Sequence, residues 1–360
     1  MGKTVYFLGA GATKDVCENA PLNNDLLEKA LRDFAGSSEA EQIENFIKEL
    51  FKRRKNPPKD NQIWNLLDYV IQQGKSASPE YNLEKVSDIR DSLIKLVIKE
   101  FKKSLPNVYA DSYKKFASRA GHESSAIIST NYDILIDNAL AEIDSHNYGA
   151  KIRYSIPEDG PKLFNSEEEY YPNGFNRPAE QQQKNLNNGE VRLLKIHGSL
   201  NWLYCRKCKE VDLTIKKGGT EKLLTSIGVT CINKSCTNKY EPLLITPTMF
   251  KNYENRFIRE IWDLAEISLI ESENLIFIGY SLKDEDFQIR CLLMKALLNK
   301  ARPYKNIVIV EMDPEKLKDK KKIRENKERL KTIKNKYIDL YSKRRVDFKM
   351  IGFTKYIDSL

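Results

Sequence analysis

The sequence predicts an α/β fold with a Rossmann-like parallel sheet, a large helical insertion and a small module built on four cysteines. Three observations carry this. An apolar run at the N-terminus ends in small residues, Gly9-Ala-Gly-Ala-Thr13. Several later apolar runs of strand length also end in Gly, Asn, Asp, His or Ser, and ligands sit at the carboxyl ends of strands in open α/β sheets. Four of the six cysteines form two close pairs, Cys205-x2-Cys208 and Cys231-x4-Cys236.

The elements follow in order. Lys3-Thr-Val-Tyr-Phe-Leu8 is a buried strand running straight into the glycine turn. Residues 22–120 are mostly helical by periodicity: Leu26, Leu27, Leu31 and Phe34 share a face, as do Ile43, Phe46, Ile47 and Leu50, and Leu93, Leu96, Val97 and Phe101. Asn56-Pro-Pro-Lys-Asp60 and residues 74–79 interrupt them. The next strand, Ala126-Ile-Ile-Ser-Thr130, leads into Asn131-Tyr-Asp133 and a helix through Leu135, Ile136 and Leu140. Residues 145–190 are polar and are expected to be loop or irregular. Val191–Ile196 is a third strand ending at His197-Gly198; after the cysteine segment, at about 203–240, Leu243-Leu-Ile245 resumes the body. Leu275–Ile278 runs into Gly279-Tyr-Ser-Leu282, and Ile307–Val310 into Glu311-Met-Asp313. Residues 1–315 are expected to form one nucleotide-binding domain, with 316–360 a basic C-terminal helix and tail.

With 360 residues and 41% hydrophobic content, the chain can bury a sizeable core. No apolar run reaches the ~18 residues of a membrane span, and the N-terminus has no signal pattern, so a cytoplasmic protein is expected. The net charge of +9 is concentrated: between Lys316 and Arg345, 14 basic and 4 acidic residues leave +10, so the rest of the chain is close to neutral. Such a stretch can hold nucleic acid or an acidic partner. It also reads as a solvated helix, since Ile323, Leu330, Ile333, Tyr337 and Leu340 form a helical stripe with charges between them.

Each polar motif has a chemical and a plain structural reading. Gly9 and Gly11 let backbone approach a pyrophosphate or simply make a tight turn. Residue 14 is Lys, so neither the dehydrogenase fingerprint nor a P-loop is present. Asn131 and Asp133 can hold a ribose and a carboxamide, or cap a helix. His197 can serve as a general base or as a structural histidine. The two cysteine pairs, 22 residues apart, suit tetrahedral zinc, and four thiolates leave no open position for water, so the site is structural. Cys17 and Cys291 stand alone and read as small core residues.

Taken in order, these blocks resemble the sirtuin family. Gly9-Ala-Gly-Ala-Thr13 resembles its Gly-Ala-Gly-x-Ser opening, Thr130-Asn-Tyr-Asp133 its Gln-Asn-Ile-Asp segment, Ile196-His-Gly-Ser199 its catalytic histidine block and Gly279-Tyr-Ser-Leu282 its Gly-Thr-Ser-Leu strand end. The peptide-side pattern differs. Ala20-Pro-Leu-Asn-Asn-Asp-Leu26 stands where deacetylases carry Gly-Ile-Pro-Asp-Phe-Arg, and Leu243-Leu-Ile-Thr-Pro-Thr-Met249 where they carry Phe-Gly-Glu. With Leu200-Asn-Trp202 and Lys283-Asp-Glu-Asp286, the chain is most similar to bacterial sirtuin-like NADases of anti-phage defence.

The resemblance implies hydrolysis of NAD to nicotinamide and ADP-ribose. It implies that Gly9, Ala10, Gly11 and Thr13 hold the pyrophosphate, with Gly279 and Ser281 towards the adenosine half. Asp133 would bind the carboxamide, Asn131 would orient the ribose and the attacking water, and His197 would accept a proton. It further implies a homo-oligomer, restrained by a partner such as a helicase-like ATPase of the HerA type. A protein deacylase, a non-catalytic NAD or ADP-ribose sensor and a nucleic-acid binder working through the basic stretch are the competing readings.

Overall fold

The computed structural model describes residues 3–22, 25–50, 60–105, 110–123, 125–145, 151–154, 190–213, 227–231, 235–248, 255–342 and 346–360. Its centre is a seven-stranded sheet in the order β10-β9-β8-β1-β2-β4-β3. The strands are β1 (Thr4–Leu8), β2 (Ala126–Ser129), β3 (Lys151–Tyr154), β4 (Glu190–Lys195), β8 (Asn274–Ile278), β9 (Asn306–Glu311) and β10 (Val346–Met350). Every pairing among them is parallel. β1 and β2 are buried throughout and β8 nearly so, as parallel strands covered on both faces must be. A second, antiparallel sheet has the order β6-β5-β7, from β5 (Gly198–Cys205), β6 (Glu210–Leu213) and β7 (Glu241–Leu244).

The helices are α1 (Ala10–Val16), α2 (Leu26–Asp33), α3 (Ser38–Leu50), α4 (Asp60–Gln73), α5 (Leu83–Ser104), α6 (Asp111–His122), α7 (Leu135–Ser145), α8 (Arg256–Glu271), α9 (Phe287–Asn299), α10 (Lys320–Tyr341) and α11 (Gly352–Asp358). The α/β fold with its helical insertion is as the sequence predicts, with a smaller insertion. It comprises α2 to α5, because α6 buries Tyr113, Phe116, Ala117 and Ala120 in the core of the main sheet.

The helical insertion and the cysteine module, separate in sequence, share a second core. Ile43, Phe46, Leu93, Val97 and Phe101 from the helices pack in one cluster with Leu203, Cys205, Cys231, Cys236 and Tyr240. Tyr132, from the loop after β2, joins them, edge-on to Phe101 at 6.1 Å between centroids. A polar tether reinforces the contact: Asp68 of α4 accepts from Arg90 of α5 at 2.6 Å and from Thr246, just past β7. The expected irregular stretch at 145–190 contains one described element, β3, a sheet edge paired to β4; the rest of that expectation lies outside the described residues.

The C-terminal stretch is part of the sheet architecture. Helix α10 buries Leu330, Ile333, Tyr337 and Tyr341, and Tyr337 donates to the Tyr280 carbonyl at 2.6 Å. After it, β10 pairs in register with β9, and Phe353 of α11 packs on Tyr113 and Phe116. The sequence marks the amphipathic helix, but not the strand and helix that follow it. Several of the basic residues answer acids of the body: Lys316 pairs with Asp15 at 2.6 Å, Lys336 with Asp284 at 3.0 Å and Arg329 with Glu311 at 3.7 Å. Ile333→Ala is therefore expected to destabilise the whole chain by about 2–4 kcal/mol in urea unfolding, because it opens a cavity under the sheet, whereas exposed Lys331→Ala should leave stability unchanged.

Glu311 ends β9 as a nearly fully buried carboxyl, and burial raises it from 4.5 to about 7, against the opposing pull of Arg329. Native Glu311 holds its proton more tightly than the unfolded chain does. The resulting stabilisation is complete below about pH 4.5 and is lost as pH rises through about 7. A difference of that size is worth about 3 kcal/mol. Wild-type stability should thus fall with pH across this window relative to Glu311→Gln, which denaturant titrations at a series of pH values would read directly.

Candidate functional site

Register places the polar motifs on one edge of the sheet. Leu8 pairs with Ile278 on one side and Ser129 on the other, and Ser129 pairs with Lys195. Gly9, Gly279, Thr130-Asn131 and Ile196-His197 therefore leave the sheet together at its carboxyl edge, where open α/β sheets bind ligands.

The glycines here serve backbone contact. Gly9 donates its amide to the Ile278 carbonyl at 3.0 Å and Gly11 to the Gly279 carbonyl at 2.9 Å. A Cβ on Gly9 would lie 2.5 Å from the Gly279 oxygen, one on Gly11 2.7 Å from the Gly279 Cα, and one on Gly279 2.2 Å from the Ala12 nitrogen. Gly279 also has φ +63°, in the left-handed region. The turn after β1 and the turn after β8 thus meet backbone to backbone. The amides of Gly9 and Gly11 are committed to that contact, and Ala10 opens α1 beside them. Ser281 lies two residues past Gly279, half-buried, with Leu282 at φ +48° after it.

A buried hydrogen-bond network joins the turn after β1 to the turn after β2. Asn131 donates one amide hydrogen to the Gly9 carbonyl at 3.0 Å and the other to the Thr13 hydroxyl at 3.2 Å. Gly9 offers only an acceptor there, which fixes the orientation of the Asn131 amide. Thr13 gives its single proton to Asp133 at 2.8 Å, so the Tyr113 phenol, 3.1 Å away, donates to Thr13. With both amide hydrogens used, the Asn131 oxygen remains a buried acceptor with no partner among the described residues.

Asp133 takes the helix-capping role expected of it and is also tied to Thr13. One carboxylate oxygen accepts from the Leu135 amide at 3.2 Å, as a helix cap does, and the other from Thr13. Burial pushes its carboxyl above the ordinary range, and Lys195 and Thr13 oppose that. Sequence reasoning missed Lys195. It is fully buried at the end of β4, donates to the Asp133 carbonyl and pairs with Asp137 at 3.2 Å. The only sequence signal was a lysine inside an apolar strand. Tyr113 was missed as well, because it lies 100 positions from Thr13.

His197 is buried, two residues beyond the Ser129–Lys195 pair. Its carbonyl accepts from Ile245 at 2.9 Å, and the carbonyl above it, Ile196, accepts from the Trp262 indole at 2.9 Å. Gly198, at φ +80°, must be glycine, since a Cβ would meet the Leu243 carbonyl at 2.0 Å. Ser199 is buried with no hydrogen-bond partner for its hydroxyl among the described residues. Asn131 and His197 thus stand on neighbouring strand ends; the backbone link between them runs from the Leu200 amide to the Tyr132 carbonyl at 2.8 Å.

The cysteine module gathers its four thiols. All four sulfurs lie within 4.8 Å of one another, with Cys205 to Cys236 at 3.6 Å and Cys208 to Cys231 at 3.8 Å. Bonds of ~2.3 Å to a tetrahedral zinc imply sulfur separations of about 3.8 Å, so these residues fit that ion. Crowding by its fellow thiols, Cys236 first, pushes Cys208 up to about 12.

The parallel sheet and the polar cluster at its carboxyl edge define an α/β protein of the Rossmann-like class. More narrowly, the chain belongs to the family of the SIR2-like domain, whose model matches residues 125–340. No characterised protein matches it in sequence. Among solved structures it is similar to one described as "Structural Basis for the Mechanism and Regulation of Sir2 Enzymes", at 12% identity and a TM-score of 0.42, covering 99% of this chain and 89% of that one. It is also similar to "Sir2-p53 peptide-NAD+", at 10% identity and a TM-score of 0.43, covering 99% and 91%. Overlaps this loose say nothing about chemistry. Among the described residues, no helix is long and apolar enough to cross a membrane.

Two outcomes are expected. Lys195→Met should destabilise the fold by about 3–5 kcal/mol, because it removes the buried ammonium that answers both the Asp137 carboxylate and the Asp133 carbonyl; urea unfolding reads this, and a loss below about 1 kcal/mol would contradict the ion pair. Metal analysis of the purified chain should find one zinc per chain, and Cys231→Ser should abolish it and lower the melting temperature.

Proposed function

We propose that this chain binds NAD across the carboxyl edge of β1, β2, β4 and β8 and hydrolyses its bond to nicotinamide. The observation that carries the reading is the Asn131 side chain. It is locked by Gly9 and Thr13, it offers one unanswered buried acceptor, and it stands one strand from His197. A fixed acceptor of this kind suits a ribose hydroxyl or a water molecule held in line with the bond that breaks.

In this reading the pyrophosphate lies over the Ala10–Thr13 turn, flanked by the Gly279–Ser281 turn. Asp133 receives the nicotinamide carboxamide, and Asn131 aligns the ribose and the water. As the bond to nicotinamide breaks, positive charge develops on the ribose ring, and water adds to the carbon that loses nicotinamide. His197 accepts the proton that this water gives up, directly or through a ribose hydroxyl. The balance is NAD plus water giving nicotinamide, ADP-ribose and a proton. Zinc held by Cys205, Cys208, Cys231 and Cys236 would supply rigidity to the β5–β7 sheet, whose Gly198 end adjoins His197. Hydrolysis is favoured over deacylation because Leu243–Met249 lacks the Phe-Gly-Glu segment of the deacetylase pattern. Use as an NAD-depleting effector of anti-phage defence, with a helicase-like partner, follows from the resemblance alone.

Nicotinamide release from NAD, followed by chromatography without any peptide, tests this. His197→Ala and Asn131→Ala should each lower turnover ~10²–10⁴-fold in a chain that still folds, with Asn131→Ala also losing about 1–3 kcal/mol because the Gly9 carbonyl and Thr13 hydroxyl lose a buried donor. Wild-type turnover in either folded variant, or release that requires an acylated peptide, would overturn the assignment.

A further inference from the structure

Asn131 and His197 leave different strands, yet a short circuit of hydrogen bonds ties their main chains together, and Tyr132 belongs to both of its arms. In one arm the Tyr132 carbonyl accepts from the amide of Leu200, on β5 just beyond His197, at 2.8 Å. In the other the Tyr132 phenol donates to the Ile245 carbonyl, and the Ile245 amide donates to the His197 carbonyl at 2.9 Å. The first arm is backbone alone. The second hangs on one side-chain hydroxyl.

The surroundings show why a phenol stands there. The side chains of Asn131 and Asp133 both turn to Thr13. The residue between them faces away, into the core shared by the helical insertion and the cysteine module, with its ring edge-on to Phe101. Burial, with Asp286 and Asp68 nearby, raises the phenol far above its ordinary range, so it keeps its proton and donates. Ile245 is buried just past the end of β7, with its carbonyl on Tyr132 and its amide on His197. Its neighbour Thr246 is held by Asp68 of α4. On the other side Gly198 lies so close to the Leu243 carbonyl that no Cβ fits between them. The segment from Leu243 to Thr246 is thus pinned against His197-Gly198, and the Tyr132 hydroxyl couples it to the turn that carries Asn131.

We propose that Tyr132 is a positioning residue: through Ile245, its hydroxyl sets the separation of Asn131 and His197, and so whether a water held by one lies within reach of the other. This rests on the roles in NAD hydrolysis assigned to those two residues above. Phenylalanine in its place would keep the ring and its packing on Phe101 and remove only the coupling. A misplacement of about 1 Å between reacting groups can cost ~10²-fold in rate.

Two measurements on the full chain test it, in wild type, Tyr132→Phe and Phe101→Leu. The first is NMR of the imidazole groups: the chain has three histidines, and the signal lost in His197→Ala identifies His197. The second is steady-state nicotinamide release. Tyr132→Phe should move the His197 signal, leave the other two in place, and lower kcat about 10²-fold at unchanged KM for NAD. Phe101→Leu weakens the same core but keeps the hydroxyl, so it should lower the melting temperature and leave the His197 signal and kcat as in wild type. A folded Tyr132→Phe chain with wild-type kcat, or with an unmoved His197 signal, would overturn the proposal. An equal loss of kcat in Phe101→Leu would do the same, since it would reduce Tyr132 to a stabilising role. A wild-type chain that releases no nicotinamide would instead overturn the assigned reaction. The coupling is then decided by the His197 signal of Tyr132→Phe alone, which supports it if moved and refutes it if not.

Discussion

The site depends on one backbone contact, the meeting of the Gly9–Gly11 turn with Gly279. Two strand ends approach so closely that no Cβ fits on either side, and the Gly11 amide closes the gap with a bond to the Gly279 carbonyl at 2.9 Å. This contact sets where α1 begins, and therefore where Thr13 stands. Thr13 in turn receives Asn131 and Tyr113 and gives its proton to Asp133. Without the glycine contact, these side chains from three separated segments would have no common point.

The second constraint is the junction between two cores. The sheet core ends at the turns after β1, β2 and β4, and the helical and cysteine core begins at Tyr132, one residue past Asn131. His197 and Gly198 lie where β4 of the parallel sheet gives way to β5 of the antiparallel one. A site at such a junction can be rigid at its base and still accept a ligand from above. The fully buried Lys195–Asp137 pair lies beneath it, and its cost in desolvation is offset by tight pairing and by the bond from Lys195 to the Asp133 carbonyl. α10 buttresses the same edge from the other side, with the Tyr337 phenol bonded to the Tyr280 carbonyl.

Much of this was legible in the sequence, for physical reasons. Buried parallel strands leave short apolar runs, and the residue that ends each run stands at the carboxyl edge of the sheet. Gly9, Asn131, His197 and Gly279 were therefore visible without any contact information. The four cysteines were visible because metal-like spacing is local in the chain. What escaped was non-local. Nothing in the stretch around Tyr113 announces that its phenol meets Thr13. Lys195 looked like an ordinary polar residue in a strand, because burial is a property of the sheet and not of the strand. The strand Val346–Met350 follows a charged helix and alternates weakly, so only its pairing with β9 reveals it. The glycine turn was readable as a phosphate cradle or a tight turn, and the sequence could not show that its amides are spent on the neighbouring strand.

The most direct test of the account is a crystal structure of the chain with ADP-ribose. The account predicts the pyrophosphate over the Ala10–Thr13 turn, a ribose hydroxyl donating to the Asn131 side-chain oxygen, and the adenosine half towards Gly279 and Ser281. ADP-ribose bound elsewhere, with the Asn131 oxygen still unanswered, would contradict it.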